Sequence, residues 1–129
     1  MNIVLFGIYR PGSAPLTNIF FDELSTVFEL LMTYICPVIV CGDFNVHVDI
    51  TDDPHAIRLR DLLQTFGCME HVTESTHKRG HILDLVITTA ATDISKVRVG
   101  GMLSDHALIH FTVSVKTLRV NEQWLTCRK

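Results

Sequence analysis

The chain has 129 residues, of which 47% are hydrophobic and 19% are charged, and its formal net charge at pH 7 is −3. This length suits a single compact domain, and the apolar content excludes a disordered or collagen-like chain. A protein that binds nucleic acid by net charge alone is usually basic, so the negative net charge does not predict such a partner.

The first half of the chain opens with a predicted strand and a predicted helix. Residues 2–9 form a near-continuous apolar run, which predicts a buried strand, and the prolines and glycine of residues 10–15 end it. A helix is predicted from about residue 18 to residue 34, with Thr17 or Asn18 as its N-cap. The helix dipole favours the two acids expected in its first turn, Asp22 and Glu23. Its apolar face is predicted from residues at steps of three and four, namely Phe20, Leu24, Val27, Phe28 and Leu31.

The rest of the chain alternates short apolar runs with one more helix. The run at residues 38–41 predicts a central strand covered on both faces. Asp53 followed by Pro54 predicts the start of the second helix. Three further strands are predicted, at residues 82–88, 96–99 and 107–115. The order β-α-β-α-β-β-β indicates a layered α/β or α+β fold.

We expect one domain over residues 1–115 and a polar tail at residues 116–129. No apolar run reaches the ~18 residues of a membrane helix, and the N-terminus lacks the features of a signal peptide. The four cysteines form no CxxC pair, so reduced thiols are expected rather than disulfides or a zinc site. These features predict an intracellular protein of the cytoplasm or nucleus, neither secreted nor bound to a membrane.

Asp43 and Asn45 follow the apolar strand at residues 38–41. Catalytic side chains tend to gather beyond the carboxyl ends of strands in α/β sheets. If the chain stays extended, the two side chains point the same way, and an acid and an amide on one face can hold a water and an anionic oxygen. The alternative is an ordinary turn, because glycine, aspartate and asparagine are common turn residues.

Asp84 lies within the predicted strand at residues 82–88, where an unpaired buried charge would cost several kcal/mol. One hypothesis is a carboxylate that holds a histidine in a single tautomer, with His106 as the candidate and His81 closer in sequence. The alternative is a structural pair with a backbone amide or an arginine.

Other polar residues have two interpretations each. Asp105 could offer an oxygen ligand to a metal beside His106, or Ser104 and Asp105 could simply begin a strand. Tyr9 ends the first strand, so its hydroxyl could reach the rim near Asp43, or it could be a strand-end tyrosine. The short basic stretch at residues 77–79 could touch phosphate, or it could be a solvated loop.

Four segments together resemble the endonuclease/exonuclease/phosphatase superfamily, and they occur in that family's order. They are GIYRPG at residues 7–12, VIVCGDFN at 38–45, THKRGHILDLVIT at 76–88 and LSDHALI at 103–109. The form THxxGxxLDLVIT is similar to the endonuclease domain of non-LTR (LINE-type) retrotransposons. The resemblance runs from about Asn2 to Val115.

The resemblance implies a two-sheet α/β sandwich and Mg²⁺ as the cofactor, with Mn²⁺ as an alternative. It implies that Asp43 orients or deprotonates the attacking water, that Asn45 steadies the phosphate and that His106 contacts the scissile phosphate. It further implies that Asp84 is the carboxylate that orients His106 and that Asp105 is an acid that positions a metal or water. It also implies that Tyr9 faces the phosphate and that Thr76 and Ser104 lie at the substrate rim.

The resemblance covers only the C-terminal half of the family's domain. Family members carry an earlier segment with an Asn and a metal-binding Glu, for which we find no counterpart before Tyr9. We therefore expect a truncated domain whose sheet face and edge are uncovered. The function expected is that of a Mg²⁺-dependent phosphodiester hydrolase that nicks DNA. The alternatives are a catalytically inactive remnant of such a domain and a phosphatase of the same fold.

Overall fold

A computed structural model describes residues 2–115 of the chain, so the predicted polar tail at residues 116–129 lies outside the described residues. Within residues 2–115, two helices and six strands follow one another in the order β1-α1-β2-α2-β3-β4-β5-β6. Their bounds are Val4–Tyr9 for β1, Asn18–Leu31 for α1, Val38–Asp43 for β2, Pro54–Thr65 for α2, Met69–Glu70 for β3, Asp84–Thr88 for β4, Asp93–Leu103 for β5 and His106–Ser114 for β6.

The strands form two sheets, which confirms the predicted layered α/β class. The first sheet has the order β1-β2-β4-β3, in which β1 and β2 are parallel and the other pairs are antiparallel. The second sheet is the antiparallel hairpin of β5 and β6. Neither helix of the described part has the length and hydropathy that a bilayer span needs.

The central strands β2 and β4 of the four-stranded sheet are covered on both faces, as the all-apolar β2 predicts. Val38, Val40, Leu85 and Ile87 pack on one side with the buried faces of the two helices. The alternate residues of β2 and β4 point the other way and pack with the apolar side of the β5–β6 hairpin. At the edge strand β1 the second face is open, where Leu5 is 65% exposed and Tyr9 is 77% exposed.

Both helices begin where the capping residues predict. The hydroxyl of Thr17 accepts from the backbone N–H of Phe20, and Asp53 caps α2 by accepting from the amides of its first turn. The prediction of acids in the first turn of α1 is wrong, because Asp22 and Glu23 lie beyond that turn. The helix also ends at Leu31 rather than near residue 34. Two turns follow it, in which the N–H groups of Thr33 and Tyr34 donate to the carbonyls of Leu30 and Leu31.

The described strands differ from the prediction most at β3, β4 and β5. Asp84 is the first residue of β4 and not a residue of its interior, since Ile82 and Leu83 lie outside the strand. The two-residue strand β3 was not predicted, because so short a segment shows no periodicity. β5 is longer than residues 96–99, and it includes two glycines and several polar residues that the alternation of apolar residues does not reveal.

Gly42 allows β1 and β2 to approach closely just before the acid at the end of β2. Its φ is +137°, and a Cβ atom there would lie 1.9 Å from the carbonyl oxygen of Ile8. A side chain at this position would therefore push β1 away from β2 and shift the neighbouring Asp43.

Candidate active site

Asp43 and Asp84 are brought together by the antiparallel pairing of β2 with β4. Asp43 is the last residue of β2, Asp84 is the first residue of β4, and the two are register partners. Partners in an antiparallel pair project from the same face of the sheet. Both carboxylates therefore lie on the face that the β5–β6 hairpin covers, at one end of the sheet.

His106 begins β6 and places its ring between the two carboxylates. Its Nδ1 atom lies 2.8 Å from Asp84 Oδ2, and its Nε2 atom lies 3.7 Å from Asp43 Oδ2. Because a carboxylate can only accept, Nδ1–H donates to Asp84 and fixes the orientation of the ring. This is the contact that the hypothesis of an Asp84–His106 pair predicts. His81 pairs elsewhere, with Nδ1 at 2.9 Å from Asp49 Oδ2.

Asn45 lies in a turn rather than in an extended segment. Its backbone N–H donates to Asp43 Oδ1 at 2.9 Å, and its φ is +52°. The turn that we considered as the alternative is thus the local structure, and it leaves Asp43 Oδ2 facing His106. A Cβ atom on Gly12 would lie 2.9 Å from Asn45 Nδ2, so the loop after β1 packs directly against this amide.

Arg10 supports this turn, and sequence analysis did not single it out. It is 8% exposed, and its guanidinium donates from Nε to the carbonyl of Phe44 at 2.8 Å and from Nη2 to the carbonyl of Asn45 at 2.7 Å. Nη1 donates to the carbonyls of Pro11 and Ala14. The only sequence feature that points to Arg10 is its position directly after a strand in GIYRPG. That position does not predict which carbonyls the guanidinium reaches.

Thr76 lies inside the protein and not at the rim where the resemblance had led us to expect it. It is 0% exposed, and its hydroxyl accepts from the backbone N–H groups of Leu83 and Asp84 at 3.0 and 3.1 Å. The carbonyl of Thr76 in turn accepts from the N–H of Ala107 at 2.8 Å. Thr76 therefore ties the start of β4 to the start of β6, and so holds Asp84 and His106 in register.

Three other predicted site residues lie around this group and outside it. Asp105 is exposed and lies 2.6 Å from Lys78 Nζ, so its carboxylate is engaged by a lysine. Ser104 is exposed in the turn between β5 and β6, with a φ of +73°. Tyr9 is the register partner of Asp43 at the open edge of the sheet.

The close acids shift the protonation of the site in a definite direction. Burial raises the pKa of the Asp43 carboxyl above its ordinary value, and the Asp84 carboxylate raises it further, while His106, the Asn45 amide and Arg10 oppose the shift. The hydrogen bond to Asp84 raises the pKa of the His106 imidazole against the opposing effect of burial. A carboxylate with a raised pKa is the stronger base, and His106 stays cationic to a higher pH.

The same three residues are a candidate metal site. One ligand atom from each of Asp43, Asp84 and His106 lies within 4.8 Å of the others. Two carboxylate oxygens fit Mg²⁺ or Mn²⁺, which proteins bind through one or two carboxylates together with waters and substrate phosphates. Since His106 Nδ1 is engaged with Asp84 and the ring is held in its cationic form, the two carboxylates are better metal ligands than the imidazole. Asp105, which was predicted as the metal ligand, is not a member of this group.

Comparisons with known proteins agree with the resemblance seen in the sequence. A family model described as endonuclease-reverse transcriptase matches residues 3–110. The chain is also similar to a solved structure, the endonuclease domain of TRAS1, a telomere-specific non-LTR retrotransposon, with a TM-score of 0.68 and 17% sequence identity. The match covers 84% of this chain and 56% of that one. No curated protein matches the chain.

Proposed function

Because the chain belongs to the endonuclease-reverse transcriptase family, we propose that its Asp43–Asp84–His106 group hydrolyses phosphodiester bonds and nicks DNA. The observation that supports this function most strongly is the imidazole held between two carboxylates, one of them bonded to it at 2.8 Å. The similar solved structure is the endonuclease domain of TRAS1, a telomere-specific non-LTR retrotransposon, and this supports DNA as the proposed substrate.

Asp43 is the general base. Its Oδ1 atom accepts a hydrogen bond from the backbone N–H of Asn45. This leaves Oδ2 to accept a proton from a water placed between this carboxylate and the phosphorus. The raised pKa of the Asp43 carboxyl makes it more basic than an exposed aspartate. General-base assistance of this kind contributes roughly 10²–10⁴-fold to a rate.

His106 stabilises the phosphate, and Asp84 positions His106. The imidazolium presents Nε2–H on the side of Asp43, where it can donate to a phosphate oxygen as negative charge develops. Asp84 keeps the ring in one orientation through Nδ1 and favours the charged form. The water's oxygen bonds to phosphorus and its proton passes to Asp43 Oδ2. The bond to the leaving oxygen breaks, and this oxygen takes up a proton from solvent, which gives a phosphate end and a hydroxyl end. Asp43 then releases its proton to solvent.

The surrounding residues complete the proposed site. Asn45 steadies the phosphate with its side-chain amide. Tyr9 contacts the substrate from the open edge of the sheet, and Ser104 contacts it from the turn between β5 and β6. Asp105 positions water at the rim, and Thr76 acts on Asp84 through the backbone. Mg²⁺, or Mn²⁺ in its place, held by the carboxylates of Asp43 and Asp84, would neutralise charge on the phosphate as a Lewis acid.

Nicking of supercoiled plasmid with Mg²⁺ by the purified chain tests this function. Asp43→Ala should abolish nicking, whereas Asp61→Ala, which removes an exposed carboxylate from α2, should nick as the unmodified protein does. Nicking by Asp43→Ala at the unmodified rate would refute the role of Asp43. A chain that neither binds Mg²⁺ in calorimetry nor nicks plasmid would be the catalytically inactive alternative.

The substrate class needs a separate comparison. Supercoiled plasmid, a duplex with an abasic site and a set of inositol phosphates should be given to the same preparation. Cleavage of the two DNAs alone supports the endonuclease. Release of phosphate from the inositol phosphates without DNA cleavage would support a phosphatase of the same fold.

A further inference from the structure

A cleft of about 410 Å³ opens beside the candidate active site and shares walls with it. Asn45 and Asp105 line the cleft together with residues of the loop at residues 77–81. His77 joins the two regions, because its ring lies edge-on to the ring of His106 with 5.0 Å between the centroids. A ligand in chain form that reaches the active site can therefore continue into the cleft.

The cleft is lined mainly by nitrogen-bearing side chains that suit an anion. Lys78 and Arg79 contribute cationic groups, and three imidazoles line the same walls, those of His47, His77 and His81. Lys78 Nζ lies 2.6 Å from the carboxylate of Asp105, but Arg79 forms no salt bridge with any residue in the range 2–115. Arg79 is thus the charge in this cleft that remains available to a ligand.

Two of the three histidines that line the cleft, His47 and His81, form a fixed pair. The rings of His47 and His81 stack with 4.1 Å between their centroids and 5° between their planes. His81 Nδ1 lies 2.9 Å from Asp49 Oδ2, and Asp49 Oδ1 accepts from the N–H of Ile82 at 3.0 Å. Because Nδ1 is engaged, Nε2 is the nitrogen of His81 left for a ligand.

The basic loop is held in its shape by its own backbone. The N–H groups of Thr76 and His77 both donate to the carbonyl of His81, and the N–H of Gly80 donates to the carbonyl of His77 at 2.9 Å. The N–H of Lys78 donates to the carbonyl of Asp105 at 2.9 Å, which fastens the loop to the turn before β6. A loop fixed in this way loses little conformational freedom when it binds an anion.

We propose that this cleft binds a backbone phosphate of the DNA strand adjacent to the phosphate that is cleaved, through Arg79 and the His47–His81 pair. The identity of the ligand as DNA depends on the function proposed above. Successive phosphates of one strand in a duplex advance about 3.4 Å along the axis. Because Asn45 and His77 line the cleft and the His77 ring touches that of His106, a strand whose scissile phosphate lies at Asp43 and His106 would bring a neighbouring phosphate into the cleft.

Binding of a fluorescently labelled duplex, measured by anisotropy in EDTA over a series of salt concentrations, tests the cleft without any cleavage. Arg79→Ala should weaken binding roughly 5- to 10-fold and reduce the slope of log K against log salt by about one. His81→Gln, which breaks the ring stack, should weaken binding by a smaller factor. Arg60→Ala is the matched control, since it removes an exposed arginine from α2 on the other side of the sheet, and it should bind as the unmodified chain does.

The proposal is overturned if Arg79→Ala binds the duplex as tightly as Arg60→Ala. It is also overturned if inorganic phosphate at matched ionic strength displaces the duplex at submillimolar concentration, because the ligand would then be free phosphate. Nicking by Asp43→Ala bears on the proposed catalysis alone. If Arg79→Ala loses affinity while no variant nicks plasmid, the cleft stands and the catalytic function fails.

Discussion

Asp43 and Asp84 stand opposite each other in the register of β2 and β4, so two carboxylates project side by side from one end of the sheet. Burial raises the pKa of the Asp43 carboxyl, and the like charge of the nearby Asp84 carboxylate raises it further. His106 lies between them and offsets the repulsion.

Asp84→Asn should lower nicking by on the order of 10²-fold or more while the protein stays folded, because the amide no longer stabilises the His106 imidazolium. The measurement is the single-turnover rate on supercoiled plasmid, with circular dichroism as the test of folding. Asp61→Asn, with the same change on the exposed face of α2, serves as the control. An Asp84→Asn rate equal to that of the unmodified chain would refute the positioning role of Asp84.

The His106 imidazole should titrate above its ordinary pKa, because its hydrogen bond to Asp84 favours the charged ring. A raised pKa in the folded state means that this pair stabilises the fold fully at pH values below the unfolded pKa. The contribution is lost as the pH rises through the raised value. An NMR titration of the ring protons checks this shift, and the Asp84→Asn variant should bring the midpoint down. A midpoint that is the same in both proteins would contradict the assigned cause.

Glu70 should make the protein less stable as the pH rises. Burial raises the pKa of its carboxyl to about 7, although hydrogen bonds from the backbone partly oppose this. The folded state therefore holds a proton that the unfolded state releases near pH 4.5, and stability falls between about pH 4.5 and pH 7. The full shift corresponds to a free energy on the order of 3 kcal/mol.

Urea unfolding at pH 5 and at pH 8 measures the contribution of Glu70. Glu70→Gln should reduce the difference in unfolding free energy between the two pH values, and the part that remains includes the contribution of the His106–Asp84 pair. Glu74→Gln, in an exposed loop, should leave that difference as it is in the unmodified protein. A Glu70→Gln protein that loses as much stability at pH 8 as the unmodified chain would show that another group is responsible.

Gly42→Ala should destabilise the protein by roughly 2 kcal/mol or more, because the new Cβ atom would meet the carbonyl of Ile8 at 1.9 Å and φ is +137°. Gly7→Ala is a matched control on the neighbouring strand, where no heavy atom lies within 4 Å of the added Cβ. Thermal unfolding of both variants gives the comparison. Equal melting temperatures would mean that the close approach of β1 to β2 is not required.

Arg10→Lys should cost roughly 2–4 kcal/mol of unfolding free energy, since a lysine cannot reach the four carbonyls that the guanidinium serves and leaves buried acceptors unpaired. It should also slow nicking, because Arg10 holds the turn that presents Asn45. Arg60→Lys changes one exposed hydrogen bond and is the control. If both variants have the same urea midpoint, Arg10 does not support the turn.

Local sequence patterns were sufficient to predict both helices and most of the strands of the described residues, and to identify Asp43 and Asp84 as candidate site residues. The apolar run of β2, the Asp-Pro start of α2 and the alternation along β6 are each visible within about ten residues. The pairing of Asp84 with His106 was also inferred from residue types, since an acid near a buried strand needs a partner. The first-turn acids of α1 were misplaced although the start of the helix was predicted correctly, because a first turn that begins at Asn18 ends before Asp22.

The sequence by itself determined the helices, most of the strands and the residues that carry the chemistry, because capping, periodicity and turn propensity act between neighbours along the chain. The tertiary structure decided that Arg10 would hold the Asn45 turn, that Thr76 would be buried behind Asp84, and that His81 would pair with Asp49. These contacts join residues 32 or more positions apart in two of the three cases. They depend on how sheets and loops pack against one another, which no local pattern encodes.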